Sequence, residues 1–141
     1  MRLAEHTILL NGKLESVWQK LVDWERMPDW DKFLKTVHFD GPLAAGSIGE
    51  LVLQNGQKVR LRITSFAPNK KYVDEFYTLG SRFIFYHELI EHQDNQIEVH
   101  FWIDAEGLFA FLFQIPMSND FQAKLPTILS NFKTQFEAAY S

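Results

Sequence analysis

The chain has 141 residues, no cysteine and a formal net charge of −4 at pH 7. That length suits one domain over residues 1–141, able to bury about two-thirds of its unfolded surface without a disulfide or metal staple. The missing cysteine excludes disulfides, thiol nucleophiles and cysteine-based metal sites, and the acidic balance, with no basic run beyond Lys70-Lys71, argues against phosphate-backbone binding and so against a nucleic-acid partner.

Residues 3–10 read as a first strand, with Thr7 and Ile8 at its centre. Polar residues 13–16 open a helix in which Val17, Trp18, Leu21 and Val22 form one apolar stripe. Pro28 stops or kinks the segment that begins at Trp24, and a short helical turn is predicted over 28–32. Residues 33–39 and 48–53 are predicted strands, separated by turn residues Gly41-Pro42 and Ala45-Gly46. Asn55-Gly56 is a two-residue hairpin signal. Beyond it Val59, Leu61 and Ile63 alternate with Arg60, Arg62 and Thr64, the pattern of a strand with one buried and one solvated face.

A hairpin is predicted from strands 71–79 and 82–91, turning around Gly80-Ser81. In the next strand, 96–105, Ile97, Val99, Phe101 and Ile103 alternate with Glu98, His100, Trp102 and Asp104. The period then changes. Phe121, Leu125, Ile128, Leu129, Phe132 and Phe136 recur at helical spacing and predict an amphipathic helix of about five turns. Ser118 or Asn119 is its expected N-cap, and 107–115 a helical lead-in broken at Pro116. The longest apolar stretch, 107–117, is too short to span a bilayer. No secretory leader is seen, so no integral membrane association and a cytoplasmic location are expected.

The order of elements, β-α-α-β6-α with about seven antiparallel strands, predicts an α+β domain whose sheet buries one long helix. The opening also carries Val17, Trp18, Leu21, Asp23, Pro28, Trp30, Val37, Gly41, Leu43 and Gly46 in an order that resembles the polyketide cyclase/dehydrase branch of the START-like (SRPBCC, helix-grip) superfamily. Segments 63–76, 85–91 and 106–113 extend the resemblance over nearly the whole chain. It implies a curved antiparallel sheet gripping the C-terminal helix, with a cavity between them.

Candidate site residues come from the predicted inner face and from that resemblance. Asp74 and His87, placed at mid-strand in one hairpin, are the candidate acid/base pair, provided that residues 73–75 lie opposite 86–88. Neighbours on a strand face opposite ways, so only one of Asp74 and Glu75 looks inward. The expected cavity wall contains Leu61, Ile63, Phe76, Phe85, Val99 and Phe101 from the strands. Trp30 comes from the Pro turn, Phe113 from the lead-in, and Leu125, Leu129 and Phe132 from the helix. No His or acidic spacing matches a metal motif, and neither a dinucleotide fingerprint nor a P-loop is present, so no metal and no cofactor are expected. Phe 13 and Trp 4 supply more aromatic surface than a small core needs. The function expected is binding of a hydrophobic small molecule (a lipid, a polyketide-like compound or an isoprenoid). The alternatives are a cyclase or dehydratase using the carboxylate and histidine, and a co-chaperone-like interaction domain that would need an exposed apolar patch. Ligand identity and oligomeric state are not encoded in these patterns.

Overall fold

The computed structural model describes residues 1–78 and 80–140, and of 113–115 and 140 the backbone alone. Seven strands form one antiparallel sheet: β1 (Arg2–Asn11), β2 (Leu34–Phe39), β3 (Ile48–Leu53), β4 (Lys58–Ala67), β5 (Lys71–Thr78), β6 (Ser81–Glu91) and β7 (Gln96–Gly107). Helix α1 (Leu14–Val22) and a 3₁₀ helix (Trp24–Asp29) link β1 to β2, and the long α2 (Ala110–Tyr140) comes after β7. The strands lie in the order β1-β7-β6-β5-β4-β3-β2, a meander from β2 to β7 with β1 added at the far edge. This is the predicted α+β arrangement, β-α-α-β6-α.

The long helix differs from its expected form. It starts at Ala110 and runs unbroken through Pro116 and Pro126. Each proline removes one i→i−4 hydrogen bond, a cost of about 3 kcal/mol in a helix interior. Packing offsets it: Leu125, Ile128, Leu129, Phe132 and Phe136 form a buried stripe, and α2 lies along β1 and β7. Ser118 is therefore not a cap. Its hydroxyl and the Gln122 amide both donate to the Leu3 carbonyl, which the irregular register between Arg2 and Ala4 leaves open. The short helical turn also begins earlier than expected, at Trp24, and Pro28 sits inside it.

The core lies between the inner sheet face and α2, closed at the other end by Val17, Trp18, Leu21 and Trp24. Trp30 meets Phe132 edge-on at 4.9 Å and faces Phe101 at 6.5 Å. Among the described residues, no helix is long and apolar enough to cross a membrane.

Candidate functional site

Because side chains alternate along a strand, three cross-strand rows share the inner face of β4 to β7. Tyr72, His87 and Phe101 are successive partners, as are Ile63, Asp74, Phe85 and Ile103, and then Phe76, Phe83 and Ala105. Leu61 and Val99 lie on this same face. Phe76 stacks on Phe83 at 5.0 Å and on Phe85 at 5.7 Å, and Phe121 of α2 meets Phe85 edge-on at 5.8 Å. Phe66, Phe76, Phe85 and His87 point inward yet stay only partly buried. They lie on the β4 to β6 side of the face, away from β1 and β7, the strands along which α2 mainly packs.

The hairpin register differs from the expected one by two residues. Thr78 pairs with Ser81, Asp74 falls opposite Phe85, and His87 opposite Tyr72. Asp74 and His87 share a face as diagonal neighbours and do not hydrogen-bond. His87 instead places Nδ1 3.4 Å from the Tyr72 carbonyl. The residue as a whole is only partly buried, but its ring sits between Tyr72 and Phe101, and loss of hydration lowers its pKa to about 3 against the weaker pull of that carbonyl.

Asp74 and Glu75 are both 7% exposed, on opposite faces. Glu75, on the outer face, accepts from the Tyr77 hydroxyl at 3.0 Å and lies 3.7 Å from Arg82. Asp74 faces inward, and its Oδ1 has no partner. Burial, with Glu75 adding to it, pushes the Asp74 carboxyl up to about 8, so it is mostly protonated at neutral pH.

Three further groups complete the polar end of the site. The Tyr72 hydroxyl and Trp24 Nε1 are buried and make no hydrogen bond of normal geometry, but the two rings lie 5.4 Å apart and the indole N–H is near enough to act on the phenol. Burial, then the charge of Asp74, raises the Tyr72 pKa, while the Trp24 indole acts the other way. Burial also raises Asp31 to about 6, opposed by the Phe33 N–H and by Lys124. Lys124 holds Asp120 at 2.8 Å and lies 4.7 Å from the centre of the Phe33 ring.

Of the expected wall residues, Leu61, Ile63, Asp74, Phe76, Phe85, His87, Val99 and Phe101 therefore share the inner sheet face. Trp30, Leu125, Leu129 and Phe132 pack the filled core beside it. The Phe113 side chain lies outside the described residues. Sequence reasoning missed Tyr72, Trp24 and Asp31. Strand period was a usable signal for Tyr72, two residues before Asp74; Asp31 had none. Among the described residues no three His, Asp or Glu come together as a metal site. Two surface depressions, one by Glu91, His92 and Asp94 and one by Arg2, Gln122 and Pro126, contain none of these groups. Leu108, Phe109, Phe111 and Leu112 are exposed at the start of α2, Leu108 at 77%. That is the kind of apolar surface the interaction alternative requires, but nothing among the described residues covers it.

No family model matches the chain, and no curated protein matches it. Solved structures do. A START superfamily protein from Mycobacterium smegmatis superposes with a TM-score of 0.71 at 13% identity, over 94% of this chain and 97% of that one. A protein from Thermus thermophilus gives 0.75 at 14% identity, over 98% and 99%. DynU16, from the dynemicin biosynthetic locus, gives 0.76 at 11% identity, over 96% of this chain and 47% of that one. At these identities the likeness is one of fold: the chain has the START-like, helix-grip fold.

Proposed function

We propose that this START-like domain binds a hydrophobic small molecule between α2 and the inner face of β4 to β6. The observation that carries the reading is the set of inward, partly accessible rings (Phe66, Phe76, Phe85 and His87) beside an uncharged, unpartnered Asp74. A mostly apolar surface with a few convergent polar groups is the usual composition of a small-molecule site. Ile63, Phe76 and Phe85 would supply contact area, and Asp74 would fix orientation. Lipid, polyketide-like and isoprenoid ligands all fit that description.

Titration with the apolar fluorophore N-phenyl-1-naphthylamine tests it. Saturable enhancement is expected, weakened when Phe85→Trp adds bulk to that face. No saturable signal, or one unchanged by Phe85→Trp, would remove this site from consideration.

A second reading, proton-transfer catalysis, draws on Asp74. A carboxyl kept protonated near neutral pH is suited to act as a general acid. His87 is turned toward the Tyr72 carbonyl and is not its partner. This reading predicts that Asp74→Asn keeps ligand affinity and abolishes turnover, measured on whatever ligand native mass spectrometry finds bound.

A further inference from the structure

The outer face of the sheet is divided by charge. On β4 and β5 its outward residues include Lys58, Arg60, Arg62 and Lys71 against a single acid, Glu75. On β6, β7 and β1 they include Glu88, Glu98, Asp104, Glu106 and Glu5 against Arg82 and Arg2. Arg2 is shared between Glu5 and Asp104, and Arg82 between Glu75 and Glu106. The bases of the β4 half have no such partners: among the described residues Arg60, Arg62 and Lys71 take part in no ion pair, and both arginines are exposed. An apolar strip runs between the two halves. Val73 and Ile84 are buried there, and beside them Tyr86 stacks on Trp102, centroids 4.7 Å apart and planes within 6°. An apolar centre with a charged rim is the anatomy of a protein interface.

Strand register decides what fits this face. Arg62, Glu75, Ile84 and Asp104 form one cross-strand row, Val73, Tyr86 and Trp102 a second, and Lys71 and Glu88 share a third. Tyr77, Arg82 and Glu106 form a fourth, level with Arg60, two residues before Arg62. A second copy turned about a two-fold axis along the β5–β6 seam keeps every row at its own level. Its β4 then faces β7, and its β5 faces β6. Arg62 stands opposite Asp104, Arg60 opposite Glu106 and Lys71 opposite Glu88, each contact repeated by the symmetry. Val73 meets Tyr86 at the centre, and the exposed Tyr77 ring meets the Arg82 guanidinium. Sheets packed face to face lie about 10 Å apart with strands within about 30° of each other, a gap that long charged side chains bridge. A polyanion would suit the β4 half and be repelled by the other. A basic peptide would meet the reverse. The divided face as a whole is complementary to itself.

We infer that the partner of the outer face is a second copy of this chain, docked across a two-fold axis along the β5–β6 seam. The strands from β4 to β7 have 8 to 12 residues. Four strands of that length present roughly 600 Å² a side, short of the roughly 800 Å² of a standard interface. The dimer is therefore weak, in exchange with monomer, and dependent on its charges. It leaves the inner-face site of each copy uncovered and is independent of the binding reading.

Sedimentation velocity on the whole protein, from about 5 μM to about 500 μM, tests this. A dimer fraction that rises with concentration is expected in about 50 mM salt, with affinity about tenfold lower in about 500 mM salt, where the facing charges are screened. Charge reversal tests the register. One variant carries Arg60→Glu and Arg62→Glu, the other Asp104→Lys and Glu106→Lys. Each alone sets like charges opposite each other and should stay monomeric. An equal mixture sets Glu against Lys on one side of the axis and Arg against Asp and Glu on the other, so it should dimerise. Circular dichroism checks that both variants are folded. Should Asp104→Lys disturb β1 by releasing Arg2, Lys71→Glu and Glu88→Lys make the same test and leave both arginine pairs in place. Wild-type protein that stays monomeric at every concentration in low salt would overturn the inference. So would a dimer that survives high salt and both reversals, which would lie on another surface. A mixture of folded variants that stays monomeric would overturn the two-fold register.

Discussion

The Tyr72 ring lies flat on the His87 imidazole, centroids 4.1 Å apart and planes within 14°. The Tyr72 main-chain carbonyl takes the other contact, at Nδ1. A carbonyl only accepts, so Nδ1 carries the proton and Nε2 is bare. Protonation would put a charge between two aromatic rings with no carboxylate bonded to it. The expected outcome is that His87 stays neutral as the pH falls to 4, monitored by NMR of its ring. A midpoint near the ordinary histidine value would contradict the packing described.

The buried carboxyls and His87 make opposite contributions to stability versus pH. Asp74 and Asp31 have folded pKa values of about 8 and about 6, above the ordinary 3.8. The folded state then binds more protons than the unfolded one, and stability falls as pH rises through the window between those values. His87 is lowered from 6.5 to about 3, so the unfolded state binds the extra proton and stability falls as pH drops through that window. Between about pH 4 and 6 the contributions oppose each other. From about pH 6.5 to 8 only Asp74 acts, and stability should decline. Urea unfolding at stepped pH should show that decline, and Asp74→Asn should flatten it.

The Tyr72 hydroxyl is fully buried and makes no hydrogen bond of normal geometry, with only the Trp24 indole beside it. Removing it with Tyr72→Phe should raise the unfolding free energy by about 1 kcal/mol, the scale of an unsatisfied buried group. A loss of comparable size in urea unfolding would mean that the hydroxyl is satisfied within the fold.

Gly107 joins β7 to α2 with φ +115, and a Cβ there would meet the Gly80 carbonyl oxygen at 2.6 Å. Gly107→Ala should therefore cost about 2–3 kcal/mol. Gly56 has φ +87 but nothing within 4 Å of its Cβ position, so Gly56→Ala should cost only about 1 kcal/mol. Equal losses in thermal unfolding would show that steric crowding at the β7–α2 junction is not what sets the difference.

Phe132 is fully buried at the centre of the α2 stripe, against Trp30. Phe132→Ala should cost about 3–5 kcal/mol by denaturant unfolding. A loss under about 1 kcal/mol would mean that α2 does not carry the core.

Strand period made most of the sheet legible. The alternation of Val59, Leu61 and Ile63 against Arg60 and Arg62, and of Ile97 to Ile103 against Glu98 to Asp104, gave the faces that the structure has. The helical stripe from Phe121 to Phe136 was legible for the same reason. What period cannot supply is tertiary compensation, and that is how Pro116 and Pro126 come to lie inside one helix. Nor does it fix register: a two-residue shift in the β5–β6 pairing moved His87 from opposite Asp74 to opposite Tyr72. The polar end of the site was the least readable part. Trp24, Asp31, Tyr72 and Asp74 come from three places in the chain, and only the closed sheet brings them near one another.

The pairing of β1 with β7 joins Arg2 to Asp104 and Asn11 to Gln96. During synthesis the first strand emerges long before its partner exists, while β2 to β7 zip together through short turns as they appear. Until β1 and α2 settle, the β7 edge is an open template for another chain, the usual route to edge-to-edge aggregation. Deleting residues 1–11 should therefore yield a protein that forms its meander and then associates through β7. In that sense β1, Arg2–Asn11, acts as a guard for the β7 edge.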